Sequence, residues 1–282
     1  MDDFLWMYGQ FFAALFGLII GSFMNVCIAR WPVDQSVTHP RSRCPRCHGH
    51  IGWRDLVPVL SWLYLRGECR HCKAPISPGY PLIEILGMLL SILAWRRFVP
   101  DTSVLDMPHV TAWFVFYGFF CMLVVATYSD IRHRIIPDEV SIYSVPLGIA
   151  GIALLEFVGY AGWGAISWKQ SITGAAIAGG GLGVAALAAE GILKREALGW
   201  GDVKLLAMIG AFVGPFAAIC GVLLLGSLLG AGGGIMHLAI TRRRALLPFG
   251  AALAPAAIAW VLFGDLLLPI LFPGMTMRFG IV

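Results

Sequence analysis

The chain has 282 residues, of which 59% are hydrophobic and 13% charged, and its formal net charge is +4. Soluble domains carry about 25% charged residues, so this composition excludes an ordinary soluble domain. No basic surface interleaved with aromatic residues supports nucleic-acid binding. Because a spanning helix needs about 20 mainly apolar residues, we predict an all-α polytopic membrane protein with about eight transmembrane helices and one sizeable polar loop.

Eight apolar segments are expected to cross the lipid bilayer. In chain order they cover residues 4–29, 82–98, 111–129, 140–158, 171–190, 203–214, 216–240 and 248–268. Gly214-Pro215 marks either a turn between the sixth and seventh segments or a kink within one longer helix, so seven spans remain possible. The first segment follows two acidic residues and lacks a basic leader region, which favours a spanning helix over a secretory signal.

The distribution of basic residues predicts the orientation. Sixteen of the twenty lysines and arginines fall in four loops that alternation places on one side, at 30–80, 131–139, 191–204 and 241–247. The remaining four, on the other side, are Arg96, Arg97, Lys169 and Arg278. Basic loops face the cytoplasm. The predicted divisions are therefore a first transmembrane helix at 1–29, a cytoplasmic insertion at 30–81 and a multi-helix membrane core at 82–282.

The insertion contains two cysteine pairs, Cys44/Cys47 and Cys69/Cys72, in the pattern C-x2-C-x21-C-x2-C. Two such pairs can surround one tetrahedral ion, and four thiolates leave no open position for catalysis, so we predict a structural zinc site. The alternative is a pair of disulfides, which a reducing cytoplasm disfavours. Three histidines near the pairs are expected to be solvated neighbours of the site: His48, His50 and His71.

Aromatic and apolar residues between the cysteine pairs leave two interpretations open. Trp53, Trp62, Tyr64 and Leu65 form either a small core around the zinc site or a surface that rests on the membrane interface.

Two aspartates stand out because acidic residues bordering membrane spans are costly and often functional. Asp130 ends the third span in SDIRHRIIPDE (129–139), and Asp202 begins the sixth in GWGDVK (199–204). These two spans run in opposite directions, so both carboxyl groups reach the same cytoplasmic depth. If they meet, mutual repulsion favours one carboxylic acid beside one carboxylate, a pair suited to acid and base catalysis.

The residues alone leave other functions open. Asp202 can instead be a helix N-cap, and Asp130 can pair with Arg132 or Arg134. A non-enzymatic assembly factor with a zinc docking loop, or a transporter that uses intramembrane acids, would then fit the same pattern. Replacing either aspartate by Asn separates these possibilities, because only a peptidase needs the ionisable group.

Taken together, the motifs resemble the bacterial type IV prepilin peptidases, the bifunctional leader peptidase and N-methyltransferase family. The similar segments are GSFMNVCIARWP (21–32), the cysteine-rich stretch 44–84, SDIRHRIIPDE and GWGDVK, in the expected order. The resemblance implies a membrane aspartic endopeptidase of the GxGD type in the bacterial inner membrane. Asp130 and Asp202 match its catalytic aspartates.

This resemblance also implies substrates and a second activity. Family members cut a short basic leader from prepilins of type IV pili, or pseudopilins of type II secretion, on the cytoplasmic side. They then methylate the new N-terminal residue with S-adenosylmethionine, and the four-cysteine region is associated with that step. Where the family often has Arg before Tyr-Pro, this chain has Gly79, which puts methyl transfer in question.

No glycine-rich nucleotide fingerprint marks a binding site for S-adenosylmethionine. The expected contacts are Gly21, Asn25, Arg30 and Glu84, because polar or very small residues at a membrane edge can approach a charged cofactor. Structural roles for these four residues are an open alternative. The sequence predicts neither an oligomeric state nor which prepilin or pseudopilin is the substrate.

Overall fold

The regular structure of the chain is helical throughout the residues that the computed structural model describes, which are 2–101, 105–194, 199–241 and 249–273. This confirms the predicted all-α class. Five basic residues used for the predicted orientation lie outside these ranges: Arg195, Arg242, Arg243, Arg244 and Arg278. The chain forms two compact units, residues 1–105 and 106–282. The predicted boundaries at 29/30 and 81/82 stay predictions.

The first unit is built on two long helices with the insertion between them. Its helices are α1 (Asp2–Arg30), α2 (Leu60–Tyr64) and α3 (Gly79–Phe98), with 3-10 turns at Trp31–Val33 and Trp53–Leu56.

Small residues let α1 and α3 pack backbone against backbone. Gly17 and Gly21 are four residues apart and therefore share one face of α1. A Cβ on Gly17 would lie 2.8 Å from the carbonyl oxygen of Gly87, and a Cβ on Gly21 would lie 2.7 Å from Cα of Glu84. Ser91 adds a hydrogen bond from its hydroxyl to the carbonyl of Ala13 at 2.7 Å. This small-residue contact is typical of helix pairs in membranes.

The described residues of the second unit form seven α-helices. They are α4 (Met107–His133), α5 (Ser144–Phe157), α6 (Trp168–Ala175), α7 (Gly181–Leu193), α8 (Trp200–Phe216), α9 (Leu224–Thr241) and α10 (Gly250–Leu271). Short π-helical segments join α6 to α7 at Ala176–Gly180 and α8 to α9 at Ala217–Leu223. Helix α8 lies at the centre of the unit, with residues 208–213 of its second half buried.

Among the described residues, seven helical stretches are long and apolar enough to cross a membrane, which makes this a multi-pass membrane protein. One of them, Trp200–Thr241, has 42 residues, about 60 Å of helix at 1.5 Å per residue. That is roughly twice the thickness of the hydrocarbon core. The predicted sixth and seventh segments both lie within this stretch.

The chain reverses direction within that long stretch, at Gly214. Gly214 has a left-handed, non-helical conformation (φ 79°, ψ 171°) and precedes Pro215. A Cβ on Gly221 would touch Trp260 and one on Gly230 would lie near Ala252, so α9 runs antiparallel to α10. Asp202 at the start of α8 lies beside Gly250 at the start of α10, so α8 runs parallel to α10. The turn predicted as one alternative is therefore present, and the stretch contains two passes.

Candidate active site and metal site

Asp130 lies in the last turn of α4, where its side chain is buried with 6% exposed. The helix ends three residues later. Arg134 then takes a left-handed conformation (φ 55°) and donates its backbone N–H to the carbonyl of Asp130 at 2.9 Å. After this C-terminal turn the chain places Ile136, which is 9% exposed, beside Gly250 and Gly201.

Asp202 lies in the first turn of α8 but is not the residue that caps it. Gly199 is the N-cap, with extended backbone (φ −69°, ψ 131°), and its carbonyl accepts the N–H of Asp202 at 3.0 Å. The Asp202 carboxyl group is directed instead at the start of α10, where it accepts the backbone N–H of Gly250. The N-cap interpretation of Asp202 is therefore wrong.

The two carboxyl groups meet at the N-terminus of α10. A Cβ on Gly250 would lie 2.9 Å from Oδ2 of Asp130 and 3.0 Å from Oδ1 of Asp202, so both oxygens lie against the Gly250 backbone and close to each other. The backbone N–H of Ala251 donates to Oδ2 of Asp130 at 3.0 Å. Two N–H donors and the positive end of a helix dipole offset the repulsion between neighbouring acids. The structure thus joins residues that are 72 positions apart in sequence.

Of the basic residues near the pair, Lys204 has another partner, and Arg134 attracts Asp130 without forming an ion pair with it. Lys204 pairs with Asp138 at 2.7 Å, with both side chains well exposed. In the part of the chain that the structure describes, neither Arg132 nor Arg134 forms an ion pair with Asp130. The surface-pairing interpretation of Asp130 is therefore not supported by its contacts.

The sequence analysis missed Gly250, Ala251 and Ile136. Ile136 covers the pair from one side, because its side chain lies 3.4 Å from a Cβ placed on Gly201 and 2.6 Å from one on Gly250. The available signal was a glycine near the start of the last predicted apolar segment, at the same predicted membrane edge as both aspartates. Periodicity does not distinguish such a glycine from the many that mediate helix packing.

The four cysteines form the second site, in the first unit. Their Sγ atoms all lie within 4.8 Å of one another, and Sγ of Cys44 is 3.8 Å from Sγ of Cys72. Zinc–sulfur bonds of about 2.3 Å in a tetrahedron separate the sulfurs by about 3.8 Å. The cluster therefore fits a zinc ion. Among the described residues the metal-binding group contains only these cysteines and none of the three nearby histidines.

The two cysteine pairs repeat one local structure. The backbone carbonyl of Cys44 accepts the N–H of His48 at 2.9 Å, and the backbone carbonyl of Cys69 accepts the N–H of Lys73 at 3.0 Å. His48 and Lys73, each directly after a second cysteine, are both left-handed with φ of 57° and 59°. Each turn thereby directs its two sulfurs to the same point.

Backbone amides in these turns favour the thiolate form that a metal requires. The N–H groups of Cys47 and Arg46 lower the pKa of Cys44 to about 6. Those of Cys72 and His71 lower the pKa of Cys69 in the same way. Hydrogen bonding to the charged form is the physical cause in both cases.

The four residues expected to contact S-adenosylmethionine also belong to the first unit, and all have internal partners. Gly21 packs against the backbone of Glu84. The Asn25 amide donates to the carbonyl of Tyr80 at 3.1 Å. Oε2 of Glu84 accepts the N–H of Val59 at 2.7 Å. The Arg30 guanidinium donates to backbone carbonyls of the insertion, at Ser36 and Pro40.

Comparison with known proteins gives two matching family models. One, described as the bacterial peptidase A24 N-terminal domain, matches residues 15–98, and the other, described as the type IV leader peptidase family, matches residues 117–235. Asp130 and Asp202 lie in the second range and the four cysteines in the first. No solved structure gave a significant match.

Curated relatives cover most of the chain. A prepilin leader peptidase/N-methyltransferase of Aeromonas hydrophila is 35% identical over 286 residues, covering 92% of each chain. One of Bacillus subtilis (strain 168) is 32% identical, covering 89% of this chain and 93% of its own. One of Myxococcus xanthus (strain DK1622) is 38% identical, covering 84% of this chain and 66% of its own.

Proposed function

Because the chain belongs to the type IV leader peptidase family, we propose that it removes the leader of type IV prepilins or pseudopilins and then N-methylates the product. The observation that carries the peptidase activity is the meeting of Asp130 and Asp202 at the start of α10. Both residues are proposed to be catalytic.

Two adjacent carboxyl groups can hydrolyse a peptide when they share one proton. The carboxylate takes a proton from water, and the water attacks the scissile carbonyl. The carboxylic acid donates its proton to the developing oxyanion or to the leaving amine. The N–H donors of Gly250 and Ala251 hold the two carboxyl groups in place, and the missing side chain of Gly250 lets both approach the start of α10 closely.

The position of the pair along its helices supports a substrate that is half polar and half apolar. Asp130 is near the end of the span Met107–His133, and Asp202 is near the start of Trp200–Thr241. A prepilin joins a polar leader to an apolar helix, so its cleavage site would lie at that membrane edge. We place the protein in the bacterial inner membrane with this edge on the cytoplasmic side, following the basic loops.

For the second activity, S-adenosylmethionine supplies an electrophilic methyl group when bound. The first unit offers Glu84, whose negative charge suits a cationic sulfonium, and the Asn25 amide at the same end of the α1–α3 pair. Both side chains are 8% exposed. We propose these two as contacts, with Gly21 supporting them through close helix packing and Arg30 through its hold on the insertion.

The test is cleavage of a membrane-embedded prepilin by the purified full-length chain, with and without S-adenosylmethionine. The expected products are a released leader and a mature N-terminus that gains one methyl mass only with the cofactor. Cleavage without the mass gain would mean that the protein is a peptidase without methyltransferase activity. Gly79 would then be the first residue to replace. No cleavage of any prepilin or pseudopilin offered would contradict the proposal and favour the assembly-factor alternative.

The zinc site gives a separate prediction. Cys44→Ser is expected to lower bound zinc from one per chain to near zero and to speed hydrogen exchange across residues 41–76, because structural zinc contributes folding free energy directly. Elemental analysis and hydrogen exchange of the purified chain measure both. Cys220→Ala is the matched control, since Cys220 lies outside the cluster. Equal zinc in the two variants would contradict a four-thiolate site.

A further inference from the structure

The insertion of the first unit carries a surface of large apolar side chains that the proposed chemistry does not use. Four residues form it: Trp53 (74% exposed), Leu60 (65%), Leu63 (58%) and Tyr64 (79%). We call them the apolar face of the insertion. Exposed apolar groups of this size usually mark an interaction surface.

This face belongs to an ordered segment. Trp62, between Leu60 and Leu63, points the other way and donates its indole N–H to the carbonyl of Ile76 at 3.1 Å. Its ring lies against Gly67, where a Cβ would be 2.9 Å away. Each of the two predicted interpretations therefore fits some of the aromatic residues. Trp62 is part of the small core, whereas Trp53 and Tyr64 are exposed.

A hydrogen bond fixes the depth of the segment relative to the membrane. Val59 is left-handed (φ 60°, ψ −50°), and the N–H of Leu60 bonds to the carbonyl of Pro58 at 2.6 Å, a tight γ-turn. That turn presents the N–H of Val59 to Glu84 of α3 at 2.7 Å. Left-handed valine is unfavourable, so the carboxylate of Glu84 stabilises a turn that the sequence would not adopt alone.

Glu84 lies in the helix Gly79–Phe98, which is long and apolar enough to cross a membrane. Helix α3 has 20 residues, about 30 Å at 1.5 Å per residue, which matches the hydrocarbon thickness with little excess. Glu84 comes five residues after Gly79, about 7 Å along the helix. Helical side chains point back toward the N-terminus, so the bond brings Val59 and its neighbours close to the level of the first turn of α3. That level is the boundary between acyl chains and headgroups.

The charges around the face suit anionic headgroups. Arg54 lies over the ring of Trp53 at 5.3 Å, and Arg66 is exposed two residues after Tyr64. Of the nearby acids, Asp55 is paired with Arg70 at 2.5 Å, which lowers the pKa of Asp55, and Glu68 is exposed. Trp and Tyr beside Arg are the residues enriched at membrane interfaces.

We propose that the apolar face lies in the adjoining lipid leaflet, at the acyl–headgroup boundary, and is held there by the bond from Val59 to Glu84. Its ligand is anionic phospholipid. The insertion thus contacts the membrane at a third place besides the ends of α1 and α3, and the four residues of the apolar face take no part in the proposed peptidase or methyltransferase chemistry.

The test is photo-crosslinking of the full-length chain in nanodiscs of phosphatidylglycerol and phosphatidylethanolamine. Benzoylphenylalanine replaces Tyr64 in one sample and Arg46, exposed in the first cysteine pair, in a matched control. We expect at least ten times more phospholipid adduct at position 64, detected by peptide mass. Equal adduct at both positions would overturn the proposal. Adduct to an added prepilin in place of lipid would also overturn it and identify a substrate-docking surface.

The role of Glu84 is tested by the same readout. Glu84→Gln keeps a carbonyl oxygen that accepts the N–H of Val59, so the lipid adduct at position 64 should persist. Glu84→Ala removes the acceptor and should reduce the adduct several-fold, while bound zinc reports that the cysteine site is still folded. Undiminished adduct in Glu84→Ala would overturn the assignment of Glu84 as the residue that holds the face at the membrane.

Discussion

Asp130→Asn and Asp202→Asn are each expected to lower kcat for leader cleavage by about 10²- to 10⁴-fold, the usual contribution of a general acid or base. Asn preserves size and can still accept the backbone N–H bonds from Gly250 or Ala251. Folding should therefore survive, and the loss should appear in kcat. Single-turnover cleavage of a membrane-embedded prepilin, with unfolding followed in parallel, measures both.

Asp138→Asn is the control for these variants. Asp138 lies at the edge of the same unit and pairs with Lys204 in an exposed contact, which contributes little to stability. Its variant should cleave at close to the wild-type rate. If Asp202→Asn or Asp130→Asn cleaved as fast as Asp138→Asn, the aspartic mechanism would have to be abandoned for that residue.

Gly250→Ala is expected to reduce cleavage by about 100-fold, which is the scale of a small misplacement of reacting groups. The added methyl would lie about 3 Å from an oxygen of each carboxyl group and closer still to Ile136. Contacts this short exceed what a methyl group tolerates, so the two carboxyl groups or Ile136 would have to move from their native positions. The predicted signature is a loss of kcat for cleavage, with methylation of an already processed pilin unchanged.

Gly118→Ala makes the same chemical change on α4, the helix that carries Asp130, at a position where a Cβ has no neighbour within 4 Å. Its cleavage rate should be unchanged. If Gly250→Ala instead matched Gly118→Ala in rate, the close approach of the two carboxyl groups to Gly250 would not matter to the reaction. A parallel loss of cleavage and thermal stability would indicate a packing role only.

The predictions that the structure bears out are those with a strong local cause. Apolar length identified the membrane helices, and the two-residue cysteine spacing identified the cluster of four cysteines, because each pattern has one dominant physical explanation. The turn at Gly214-Pro215 was one of two predicted alternatives. Sequence could not decide between them, since the left-handed backbone at Gly214 depends on packing of α9 against α10.

Other features depend on long-range contacts that leave no local pattern. Gly250 is one of 34 glycines, and only its position between two distant carboxyl groups distinguishes it. Glu84 was considered for its charge, whereas its observed contact is with a strained turn 25 residues earlier. Trp53 and Trp62 look alike in sequence, and only the contact of Trp62 with Gly67 distinguishes the partly buried indole of Trp62 from the exposed one of Trp53.

The position of α10 late in the chain also matters during synthesis. A chain is made from its N-terminus, so both aspartates enter the membrane well before residues 250 and 251 reach it. Until that last helix is inserted, the two acids lack the amide donors that hold them together. A ribosome-bound chain stopped before residue 249 is therefore expected to be proteolytically silent, which would spare neighbouring proteins during biogenesis.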